Sequence, residues 1–237
     1  MTQNTTQKLI TILSIFILHN NYAFAHVTPP NGSGTSGPIL TASPQTLKEK
    51  TFAVTLSYEH FQFDSFSDSF LEDVAADGFE EVHNTDAIEI PSIAIAYGVT
   101  DRFELSLLIP FVLRTGVAEG ELEEDGEAEV EFLGSSSGIG DITVFGKYQL
   151  LQEESSEINA ALSFGLKIPS GETNKLENDE SVFEAEFQPG SGSFDYIFGA
   201  SIGKGFNNWR INSELQFILA TEGTQESPLA SKKTKGL

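Results

Sequence analysis

Two groups of ionisable residues in this 237-residue chain stand where chemistry could be done. The first is a run of carboxylates: Glu119, Glu121, Glu123, Glu124, Asp125, Glu127, Glu129 and Glu131. Such crowding concentrates cations and can hold divalent ions loosely through oxygen ligands. The spacing fits no calcium-loop motif such as the EF-hand. A solvated acidic surface, bridged to lipopolysaccharide by ordinary divalent cations, accounts for the same residues. The second group mixes both signs: Glu59, Glu104, Asp141, Lys147, Lys167, Arg210 and Glu214. Gathered on one lumen these residues would line a path for a solute, or they would neutralise one another as buried charge must. Catalysis is not expected. A hydrolase needs a nucleophile with a histidine base. Here His26 lies in a Pro/Gly-rich stretch, His83 in a long loop, and His60 near a strand end with no serine motif to pair with it. No metal ligand set is assigned, and no cofactor is expected beyond loosely bound divalent cations.

The mixed-sign residues share one property: each lies on the polar side of a segment in which apolar residues recur at every second position. That two-residue period belongs to a strand with chemically different faces. Seven such segments can be counted. Phe52, Val54, Leu56 and Tyr58 oppose Ala53, Thr55, Ser57 and Glu59; Phe103, Leu105, Leu107, Ile109 and Phe111 oppose Glu104 and Ser106. Later segments repeat the pattern over Asp141–Tyr148, Ile158–Lys167, Phe194–Ile202 and Trp209–Leu219. The second segment slips phase between Ile90 and Ile93, where a bulge at Pro91–Ser92 is expected.

The connections alternate. Tyr97–Arg102, Gln152–Glu157 and Gly205–Asn208 are short, whereas 63–85, 114–137 and 170–192 are long. An up-and-down outer-membrane β-barrel has short turns at one end and long loops at the other. A secreted β-sandwich, acting as a surface adhesin or scaffold with acidic cation-binding loops, is the alternative that alternation also allows. In the second long loop, Leu122, Val130 and Phe132 alternate with the carboxylates, which predicts a projecting hairpin turning near Asp125–Gly126. In the first, Ser69–Glu72 is a capping-box pattern for a short helix that Gly78 would end.

The N-terminus supplies the compartment. Lys8, the apolar run Leu9–Leu18 and Ala23-Phe24-Ala25 form a cleavable signal peptide over 1–25, too short to span a bilayer as a helix. Removal takes Lys8 and leaves a formal charge of −23, against −22 for the whole chain. This excess of Asp and Glu disfavours nucleic acid as a partner. With no cysteine there is no disulfide, no thiolate metal site and no lipidated N-terminal cysteine. Mean hydropathy is −0.12, as expected where only every second residue meets lipid. Residues 26–48 read as a Pro/Gly-rich periplasmic linker. Gly32, Gly34 and Gly37 satisfy G-x-G-x-x-G, but Pro29, Pro30 and Pro38 deny that motif its strand and helix.

Three stretches carry a family resemblance: Ser137–Tyr148 (SGIGDITVFGKY), Gly165–Glu172 (GLKIPSGE) and Gln188–Asp195 (QPGSGSFD), with the turn Tyr97–Asp101 beside them. They resemble the outer-membrane "transporter" family named for the MetA pathway of phenol degradation, over about 52–225. The resemblance implies an outer-membrane barrel passing an unidentified small solute, in contact with lipid and lipopolysaccharide. It also implies further strands, so the seven segments of 49–225 are expected to be part of a barrel, followed by an aberrant basic tail over 226–237. A frame-shifted or truncated copy, unable to close and transporting nothing, is the expectation that follows. The resemblance also implies histidine in the equivalent loops; here only His83 remains, so no inherited transition-metal site is expected.

Overall fold

The computed structural model describes residues 43–78, 82–122, 126–152, 158–178, 181–206 and 209–223. The signal peptide, the linker up to residue 42, the glycine motif, Glu123, Glu124, Asp125 and the basic tail lie outside the described residues.

Among the described residues the chain is all-β apart from two short helical pieces. In order come β1 (Phe52–Gln62), α1 (Asp68–Ala76), β2 (His83–Asn84), β3 (Ala87–Thr100), β4 (Phe103–Leu122), β5 (Ala128–Ile139), β6 (Ile142–Leu151), β7 (Ile158–Ile168), a 3-10 turn (Ala185–Phe187), β8 (Asp195–Phe206) and β9 (Trp209–Ala220). All strands join one antiparallel sheet with the path β1-β3-β4-β6-β7-β8-β9, curled into a half-barrel. Strand β4 is long enough to hold two partners. Phe103–Leu108 pair with β6 and Phe111–Leu122 with β5, so β5 and β6 form one line bent at Gly140–Asp141. The seven alternating segments are therefore seven barrel strands. Because every strand belongs to a single sheet, the sandwich alternative is not the architecture adopted.

Alternation does the work expected of it. Leu56, Ile95, Leu105, Val144, Leu162, Phe198 and Leu215 stand exposed on the convex face. Ala94, Ala96, Leu108, Thr143, Phe145, Ala161 and Ile197, one residue out of phase, are buried on the concave face. Partners across the sheet match in kind. Phe164 lies opposite Phe198 with ring centroids 5.4 Å apart, an edge-on contact that adds to strand pairing.

Two local expectations are corrected. No bulge lies at Pro91–Ser92: β3 stays in one register with β1 from Ala87 to Tyr97, and its irregularity against β4 falls between Gly98 and Thr100. Ile88 and Ile90 change face because the upper concave surface is itself apolar, with Ile90 and Val112 buried there. Helix α1 is capped by Ser67 rather than Ser69; the Ser67 hydroxyl accepts from Phe70 N. Its end near Gly78, at φ +85°, is as expected. The projecting hairpin is present as β4 and β5, paired out to Leu122 opposite Ala128.

Candidate functional site

The concave face gathers four of the seven mixed-sign residues into two ion-paired groups. Glu104 on β4 sits directly across from Lys147 on β6, with their charged atoms 3.1 Å apart. Lys167 on β7 sits across from Asp195 at 2.7 Å and also lies 3.7 Å from Asp141. Opposite charges on facing cross-strand positions stabilise the pairing, and burial makes each partner depend on the other. Glu59, Arg210 and Glu214 are on β1 and β9, the two edge strands. Asp195 was not among the expected residues, although alternation over Phe194–Ile202 already set it on the polar face.

Each group also anchors a chain segment that lies over the lumen. At the long-loop end Asp141 accepts hydrogen bonds from Gly171 N, Ser191 N and Ser191 Oγ at 2.6 to 2.9 Å. Gln188 is buried and donates to Phe183 O and Lys175 O while accepting from Lys175 N. Arg114, 7% exposed, donates to Gln188 O at 3.1 Å and more weakly to Phe187 O. The Gln188-Pro-Gly-Ser-Gly-Ser193 stretch is thus a latch: glutamine folds the loop and serine ties it to the sheet. Gly190 is needed because a Cβ there would lie 2.6 Å from the Gly171 carbonyl carbon. At the short-turn end Glu104 accepts from Leu47 N at 2.8 Å, so residues 43–48, read from composition as linker, are packed onto the barrel.

The three long loops meet at one end. Val117 and Leu133 of the hairpin form a buried cluster with Phe183 and Phe187 of the third loop, and α1 contributes the buried Leu71 and Ala75. His83 on β2 lies 2.7 Å from Glu119 on β4, 3.8 Å from Glu184 and 3.5 Å from Glu186, with its ring edge against Phe187. Burial works against a charged imidazole here. The Glu119 hydrogen bond and the fields of Glu119, Glu184 and Glu186 together outweigh it and raise the His83 pKa. Donor atoms of His83, Glu184 and Glu186 lie within 4.8 Å of one another, as do those of Glu119, Glu121 and Glu131, so either group has the donors to hold a cation. Of the expected acidic residues, Glu121 lies opposite Glu129 across the hairpin and Glu127 is in its turn. Beneath the loops is a pocket of about 360 Å³ walled by Phe63, Phe66, Ile88 and Phe187, with His83, Arg114 and Glu186 at its polar side. Nothing in the local sequence around Arg114 or Glu186 announces this convergence.

A family model described as Putative MetA-pathway of phenol degradation matches residues 73–227. That span runs from within α1 past β9 and includes the latch. No curated protein matches the chain.

Proposed function

The chain belongs to the family of the MetA pathway of phenol degradation, and from that premise we propose that it is an outer-membrane, transporter-like β-barrel protein that passes a small solute. The observation that carries the reading is the inversion of the two faces. Large apolar side chains, among them Leu56, Leu162, Phe198, Leu215 and Phe217, are exposed on the convex side, while Glu104, Asp141, Lys147, Lys167 and Asp195 are gathered inside. A soluble protein does not keep a continuous apolar belt in water, whereas a barrel in lipid requires one. The pocket under the loops places phenyl rings beside a buried guanidinium and an imidazole. A small aromatic solute with a polar substituent suits such a wall, consistent with the family description.

The test is fractionation of cells expressing the full chain, followed by planar-bilayer recording of the refolded protein. Recovery in the outer-membrane fraction with discrete conductance steps supports the proposal. Recovery as a soluble periplasmic protein without bilayer activity refutes it.

A further inference from the structure

We propose that residues 43–48 form a plug seated in the short-turn end of the lumen, which must leave for a solute to pass; the gating role rests on the transport reading above. Ser43, Pro44 and Leu47 are buried, Ser43 to 1% exposure, although none of 43–48 belongs to a strand. The segment crosses the floor from β3 to β8. A Cβ on Gly98 of β3 would overlap the Lys48 carbonyl, and one on Gly203 of β8 would lie 3.1 Å from Pro44 Cγ. Between these two seats, Leu47 N donates to Glu104 Oε2 at 2.8 Å. Thr46 Oγ1 lies 3.0 Å from Gln149 Oε1 and 2.8 Å from the Asp101 carbonyl, and Glu49 N donates to Asp101 Oδ1.

The way the segment is held is what makes it releasable. A strand exchanges a ladder of backbone bonds, but this segment is held through side chains that water can satisfy in its place. Glu104 keeps Lys147 at 3.1 Å through its other oxygen, so release leaves no orphaned buried charge. Lys50, between the plug and β1, holds φ at +60°, a left-handed conformation unfavourable for a residue with a Cβ. That residue is the hinge: its N–H donates to the Gly98 carbonyl at 2.8 Å, the one backbone bond that breaks as the segment leaves and Lys50 relaxes.

The chain contains no cysteine, so an introduced pair reports cleanly. In full-length protein refolded into bilayers, the double substitution Pro44→Cys and Gly203→Cys is expected to form a disulfide under mild oxidant, because a Cβ on residue 203 would lie 3.1 Å from Pro44 Cγ. The crosslink is expected to cut conductance at least tenfold, and reductant to restore it. Gly98→Val, which fills the Lys48 seat, is expected to slow crosslinking when combined with the pair and to raise conductance on its own. Folding of each variant is checked by heat-modifiable gel mobility. Absence of the crosslink in folded protein, or a crosslinked protein that conducts like the reduced one, overturns the plug while leaving transport intact. If oxidised, reduced and Gly98→Val proteins are all silent although the disulfide forms, the transport reading is what fails, and the gating role falls with it.

Discussion

Replacing Lys167 by Met tests whether the concave charges hold the half-barrel together. The lysine ammonium lies 2.7 Å from Asp195 and 3.7 Å from Asp141, and both carboxylates are under 10% exposed. Methionine keeps the apolar stem and removes only the charge, leaving two buried carboxylates to be compensated by hydrogen bonds alone. Asp141 retains three donors, from Gly171 and Ser191. Asp195 has the Ser193 hydroxyl at 3.2 Å, so it bears most of the loss. Breaking a buried pair from one side costs about 3 to 5 kcal/mol. The lysine side chain is 20% exposed, so solvent screening places the expected value near the lower end, about 3 kcal/mol. With a urea slope of about 2 kcal/mol/M, the unfolding midpoint falls by roughly 1.5 M. Trp209, the sole tryptophan, begins β9 opposite Phe206 and reports unfolding of the adjoining strands by fluorescence in detergent micelles. Adding Asp195→Asn to Lys167→Met removes the orphaned charge and is expected to recover more than half of the loss. A single mutant within about 0.5 kcal/mol of wild type, the range of ordinary surface changes, or a double mutant no better than the single, refutes the reasoning.

Three further outcomes are expected. Gly190→Ala forces a Cβ against the Gly171 backbone; the latch leaves its seat and limited proteolysis cuts within 171–193, where wild type resists. His83 has a pKa above its ordinary 6.5 because the Glu119 bond and the surrounding carboxylates outweigh burial. Its charge therefore ties the loops fully below pH 6.5 and the tie is lost as pH rises through the raised value, so protease cutting of the loops increases with pH in wild type and becomes pH-independent in His83→Gln. Leu162→Arg puts a charge on the exposed convex face; in lipid vesicles it costs about 2 to 4 kcal/mol, and equal stability of mutant and wild type in vesicles would remove that face from the membrane.

The strands were legible in the sequence because a two-residue period is a local property. Phe103–Phe111 betrays its two faces without reference to any partner, and the short and long connections then order the hairpins. What the sequence concealed depends on distant partners. Residues 43–48 look loose by composition, yet Leu47 N finds Glu104, 57 positions away, and Thr46 finds Gln149, 103 away. His83 is unremarkable among its neighbours and gains its character from Glu119, Glu184 and Glu186, which arrive from two other loops. The phase slip at Pro91 misled for a related reason. Periodicity reads which residues are alike, and it cannot tell that the upper lumen is apolar and accepts Ile90 inside.

The strand count sets a constraint that composition could not. Successive strands reverse direction, so among the described residues β1 and β9, each with a single neighbour, run the same way. An edge facing hydrocarbon leaves backbone N–H and C=O groups without partners, each at a cost of several kcal/mol. A second copy laid edge to edge in the same membrane orientation would cover them, but that seam would join β9 to a β1 that runs parallel to it. Antiparallel pairing all round a barrel instead requires an even number of strands. The concave charges lie away from whatever closes the sheet, because Lys147, Lys167 and their partners sit on the central strands, whereas Glu59, Arg210 and Glu214 stand on the two edge strands.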